Sequence, residues 1–195
     1  MAPVNSQQLL SELKEEIATI RQVVVSHFGG QSDATLLHMP TPDAWSAVQC
    51  LDHLNAFGRF YLPAIGEAIE KAVRKGIKPK AEFKSGWLGA WFTQLLEPQT
   101  NGFPKTKMSA PRNFRPGNTL SVDNVLSEFI QQQENMEQLL VAATRVDLEK
   151  VKVPVSMSKW IKISAGDTFG YLVAHIRRHI LQAQRAIVAA NMYAV

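Results

Sequence analysis

Cys50 is the only cysteine among 195 residues, so no disulfide can form within the chain and a reducing, intracellular setting is the simplest reading. Strong charge of either sign is also missing. The 21 Lys and Arg face 17 Asp and Glu, a formal charge of +4, which is too little to argue for nucleic acid. No apolar run is long enough to cross a bilayer. The N-terminal MAPVNSQQLLSELKEEI carries carboxylates and amides where a secretory signal needs a basic start and an apolar stretch. Solenoid-type repeats and low-complexity tracts are absent too. These absences argue against nucleic-acid and membrane partners and lead us to expect a cytoplasmic protein. What is present is a hydrophobic fraction of 46%, enough for a folded core, in a length that suits one domain over residues 1–195.

The apolar residues are spaced for helices. Leu9, Leu10, Leu13, Ile17, Ile20, Val24 and Phe28 recur at helical intervals over residues 5–28, one stripe of an amphipathic helix ended by Gly29 and Gly30. Ser46 is a good N-cap for a second helix from Ala47 to about Lys75. Pro63 should kink or interrupt that helix, because it removes a backbone donor and clashes one turn back. Residues 76–118 are punctuated by five prolines and five glycines, leaving room only for a short helix over 86–96. A third long helix starts at Thr119 or Ser121, where Ser121 is an ordinary cap, and lasts to about Ala143, with Val122, Val125, Leu126, Phe129, Met136, Leu139 and Leu140 as buried candidates. Residues 146–163 alternate weakly around Pro154 and read as extended or loop-like, without a clear strand. Asp167 can cap a last helix from Thr168 to about Met192. The pattern predicts an all-α, up-and-down four-helix bundle with a loop-rich insertion between the second and third long helices.

Chemistry concentrates in three histidines. His175 and His179 are four residues apart, so both imidazoles leave the same side of the last helix. Leu172, Ile176 and Ala183 lie within one turn on that side, which points the pair inward or toward an end of the core. Two such rings can chelate one transition metal, or they can be half-buried histidines satisfied by hydrogen bonds. His53 lies in the second helix on the stripe of Leu51, Leu54 and Phe57. Facing helices of a bundle build metal sites by projecting ligands into the shared interior. A third imidazole would leave coordination positions open for substrate. His27 and His38, near a helix end and in a loop, are read as ordinary histidines.

The residues around these histidines resemble a known family. The run from Trp45 to Leu54 (WSAVQCLDHL) resembles the tryptophan-serine helix start that leads to the first metal histidine of the DinB-like (YfiT-like) superfamily. The run from Gly170 to Gln182 (GYLVAHIRRHILQ) resembles its final-helix motif, two histidines four apart followed by glutamine. The run from Lys105 to Pro116 (KTKMSAPRNFRP) is similar to the proline-bounded loop of one branch. The final helix departs from the usual glycine and threonine-leucine approach, with Gly166-Asp167-Thr168-Phe169 in its place. The resemblance implies a four-helix bundle, often dimeric, with a divalent ion such as nickel or zinc on His53, His175 and His179. It further implies a metal-dependent S-transferase using a low-molecular-weight thiol such as bacillithiol, mycothiol or glutathione. The alternatives are a hydrolase of a small ester or amide, and a non-catalytic metal- or ligand-binding protein.

The remaining conspicuous residues have less specific readings. Residues 71–115 hold ten cationic side chains against two carboxylates. They form either a solvated face or an anion-binding rim, with Arg112 and Arg115 as substrate-binding candidates for a small acidic molecule. Cys50 is expected to be a buried apolar residue, and Asp52 to serve the surface. Phe83, Trp87, Trp91 and Phe92 are expected in a core, a lid or an interface, with Trp160 covering the other side. Arg177 and Arg178 are expected to face solvent or a dimer partner.

Overall fold

The apolar stripes become helices in the computed structural model, which describes residues 2–99, 103 and 109–193. Asn5 caps helix α1 (Ser6–Val23) by accepting from the Gln7 and Gln8 amides, and Leu10, Leu13, Ile17 and Ile20 are buried along it. A π-helical turn, Val24–Phe28, carries the stripe on through buried Val24 and Phe28. Ser32 caps the short α2 (Asp33–Leu37), which periodicity did not signal. Helix α3 (Ala47–Arg74) opens on a full capping box, in which Ser46 and Gln49 satisfy each other's backbone amides. The punctuated stretch holds only α4 (Trp87–Leu96) and a 3-10 turn, Arg112–Phe114. It also contributes β2 (Glu82–Phe83), which pairs antiparallel with β1 (Val4–Asn5). Ser121 caps α5 (Val122–Ala143). The last elements are β3 (Lys152–Val155), β4 (Ser158–Ser164) and α6 (Ala165–Tyr193).

The long helices form an all-α bundle. Both α1 and α3 pack between α5 and α6, so α1 lies across the bundle from α3, and α5 from α6. The connections α1→α3 and α5→α6 must therefore cross the bundle end. Helix α2 occupies the first crossing and the β3–β4 hairpin the second. One apolar cluster runs through all four long helices, with Ile17, Leu51, Ile65, Phe129, Leu140 and Phe169 among its fully buried members. No helix of the described residues is long and apolar enough to cross a membrane.

Several expectations need correction. Residues 152–164 form an antiparallel hairpin, with Lys152 opposite Ser164 and Val153 opposite Ile163. Its signal was weak because a register shift falls between Pro154 and Val155, breaking the period-2 alternation that marks a strand. Helix α3 runs without interruption through Pro63, which lies on the solvent face, where water can satisfy the carbonyl freed one turn earlier. Helix α6 begins at Ala165, three residues before the expected start. Ser164 caps it by accepting from the Asp167 amide, while Asp167 itself accepts from the Ser164 hydroxyl. Trp160 covers nothing and is almost wholly exposed. In the aromatic group Phe83 is buried, whereas Trp87 and Trp91 are exposed.

Candidate metal centre

His53 is placed by its helix and by a loop. The capping box sets the start of α3, and the buried stripe of Cys50, Leu51, Leu54 and Phe57 turns the same side of the helix into the bundle. Asp52, the preceding residue, accepts a hydrogen bond from the Gly117 amide at 2.9 Å. That bond fastens the segment carrying Phe114 against α3. The Phe114 ring packs on Phe57 at 4.3 Å between centroids, and its carbonyl accepts from His53 Nδ1 at 2.5 Å. The expected surface role of Asp52 is thus a loop-fastening role.

His175 and His179 enter from α6, the neighbour of α3. The three rings are 3%, 4% and 8% exposed for His53, His175 and His179, so all are taken out of water. His53 Nε2 and His175 Nε2 stand 3.1 Å apart. One potential ligand atom from each of the three residues lies within 4.8 Å of the others. Donors about 2.0–2.1 Å from one tetrahedral ion sit roughly 3.3 Å apart. One pair is already at that spacing, and the third needs only a small closing movement. Aromatic walls surround the group. Trp45 stacks on His179 at 5.7 Å, Phe57 meets His175 edge-on at 4.4 Å, and Tyr171 stacks on His175 at 6.0 Å.

The electrostatics favour the ligating form. Burial holds all three imidazoles below their ordinary pKa, His175 and His179 well below. Neighbouring cationic character, including that of Arg178, adds to the shift in each. Neutral imidazole is the metal-binding form. Tautomers are also set: a carbonyl only accepts, so His53 donates through Nδ1 and keeps its Nε2 lone pair. His179 Nδ1 lies 3.1 Å from Gln182 Oε1, which leaves its Nε2 free in the same way. Such outer partners orient metal-binding histidines and raise their basicity. By donor type, count, protonation and outer contacts, these residues fit a divalent transition ion.

A family model described as the DinB superfamily matches residues 16–183, a span that includes all three histidines. The chain belongs to the DinB superfamily. No curated protein and no solved structure matches it.

In this DinB-superfamily chain the other singled-out residues separate clearly. Cys50 is fully buried and burial pushes its thiol pKa up, so it is a core residue and not a nucleophile. Arg112 and Arg115 are exposed on the segment whose Phe114 carbonyl holds His53, with Arg115 Nε donating to the Ala110 carbonyl. Lys105 and Lys107 of the basic stretch, with the start of the proline-bounded loop, lie outside the described residues. Arg177 does not face open solvent. It bridges Glu16 of α1 and Glu97 at the end of α4, tying three helices together beside the histidines. Arg178 is buried, and its charge reaches all three imidazoles. Helical spacing alone could have warned of this, since Arg178 follows His175 by three. The Phe114 carbonyl had no signal in sequence beyond its place in the proline-bounded loop.

Proposed function

We propose that this protein is a metal-dependent S-transferase that joins a low-molecular-weight thiol to a small electrophile, using His53, His175 and His179 as metal ligands. The observation that carries the reading is the convergence of three neutral imidazoles from two helices within 4.8 Å, two of them with Nδ1 tied to an oxygen acceptor. A divalent ion bound by such a set, nickel or zinc by ligand type, supplies Lewis acidity that favours the thiolate of a thiol brought against it. Three protein ligands leave room for that thiol, which distinguishes a reactive site from a closed structural one. The three imidazoles hold the site and, being neutral, add no positive charge of their own. Arg178 supplies a buried positive field on one side. Arg112 and Arg115 stand on the bordering loop, where their guanidinium groups attract the carboxylates of a thiol such as glutathione or bacillithiol; mycothiol offers hydroxyls and amides there instead. In the transfer the thiol sulfur forms a bond to the electrophilic carbon, the leaving group departs with the bonding pair, and the thiol proton goes to solvent. We place this chemistry in the reducing cytoplasm and in a homodimer.

The test is direct. Purified protein is analysed for bound metal, then given each thiol with a chlorinated dinitrobenzene, following arylated thiol and released chloride. Metal near one equivalent and conjugation lost on chelation are expected. Hydrolysis of small esters or amides with no conjugation would replace the transferase by a hydrolase. Metal binding without turnover of either kind would leave a binding protein. Light-scattering mass measurement checks the dimer.

A further inference from the structure

His175 differs from its two partners in one respect. Its Nδ1 is buried and has no hydrogen-bond partner among the described residues, whereas the other two Nδ1 atoms meet oxygens. Gln133 on α5 shows the complementary feature. Its Nε2 donates to the Phe129 carbonyl one turn earlier, at 3.2 Å, which turns the amide oxygen the other way. That Oε1 is buried and likewise has no partner among the described residues. Both residues line one cavity between α3, α5 and α6, which offers about 20 Å3 to the centre of a water molecule. One water needs ~10–15 Å3 by that measure. Leu54, Phe57, Leu62 and Met136 supply apolar walls, and Gln132 adds a second amide.

The two orphans cannot be satisfied by an apolar occupant, and a water suits both. The amide oxygen can only accept, so the water donates to it. With an ion on the Nε2 side, the water's lone pair accepts from His175 Nδ1–H; without one, His175 Nε2–H donates to His53 Nε2 at 3.1 Å and the water donates its second hydrogen to Nδ1. We infer that a buried water in this cavity links His175 Nδ1 to Gln133 Oε1, making Gln133 the positioning residue for the third imidazole. All three rings then have an oxygen partner on Nδ1: a carbonyl for His53, an amide for His179 and an amide-bound water for His175. The role given to Gln133 rests on the metal reading above; the water link itself does not.

Crystals of the full chain, metal-free and zinc-loaded, test the link. A density peak within hydrogen-bond distance of both atoms is expected in each. In the zinc-loaded protein, 15N NMR should show His175 protonated at Nδ1. Competition with a chromophoric chelator should find zinc affinity lowered ~10–100-fold in Gln133→Leu, the range for loss of such a partner. Gln133→Glu, which keeps an acceptor oxygen, should bind within a few-fold of the native chain. A dry cavity, or unchanged zinc affinity in a folded Gln133→Leu, overturns the inference. Should that variant not fold, the crystal and NMR results on the unmodified chain decide alone. A native chain that takes up no zinc refutes the metal reading, and the metal-free crystal still decides the water link.

Discussion

Replacing His175 by leucine should move metal affinity and acid stability in opposite directions. Among the described residues the three histidines form the only cluster of His, Cys, Asp and Glu fit to hold a metal ion, so no neighbour can replace a lost ligand. Structural zinc sites with four ligands bind with about 10–16 kcal/mol, roughly 2.5–4 kcal/mol per ligand. The expected loss on removing one ligand is therefore about 10²–10³-fold in Kd. The stability effect has the other sign. Burial holds the folded-state pKa of His175 well below 6.5, so unfolding takes up a proton at acidic pH. The stability from keeping this ring neutral is fully present above about pH 6.5 and is lost as pH falls towards the folded-state value. Between pH 7.5 and 5.5 that single group costs stability, at most on the order of 1 kcal/mol from protonation of the unfolded chain, which leucine does not incur. Urea melts of chelator-treated protein at both pH values, with chelator competition at pH 7.5, measure the two effects. The variant should gain stability relative to the native chain on going to pH 5.5, while binding metal far more weakly. Equal metal affinity in variant and native chain would refute the ligand assignment, and parallel stability profiles would refute the buried neutral ring.

The other expectations probe separate parts of the chain. Gly89→Ala would place a Cβ 2.2 Å from the Asp167 carboxyl carbon, whose oxygens are held by Ser85, Ser164 and the Gly86 amide. A destabilisation of about 1–3 kcal/mol from overpacking is expected in urea melts, and an unchanged midpoint would contradict the tight α4–α6 contact. Cys50 should resist a disulfide reagent in the native protein and react at once in denaturant; rapid labelling of the folded chain would show that the thiol is accessible. Arg112→Ala with Arg115→Ala should raise KM for an anionic thiol several-fold with kcat nearly kept, an effect that shrinks at high salt. A KM that does not change, at low salt, would remove both residues from substrate binding.

The histidine trio could be read from sequence because each element of it is local. The four-residue interval of His175 and His179 and the apolar stripe under His53 are properties of single helices, and the DinB-like motifs added their order along the chain. The helix ends followed equally well where one side chain does the capping, as at Ser46 and Ser121. Reading failed where the deciding partner belongs to another element. The β3–β4 hairpin is stabilised by pairing across a bulge, and Ser164 took the cap expected of Asp167 because the hairpin delivers it to the start of α6. Arg177 and Arg178 looked like surface charge. Which side of α6 reaches Glu16, and which is buried beside the imidazoles, depends on how α1 and α4 pack against it.

Composition and periodicity by themselves determined an all-α chain with four long helices and one inward-facing histidine pair, because those features depend on residues within a turn or two of each other. The packing of α3 against α6 decided that His53 meets that pair. It also decided that the Phe114 carbonyl, reached through Asp52 and Gly117, orients the first ring. Contacts between residues 61 to 122 positions apart depend on how the elements are arranged around the core, and no local pattern of side chains encodes that arrangement.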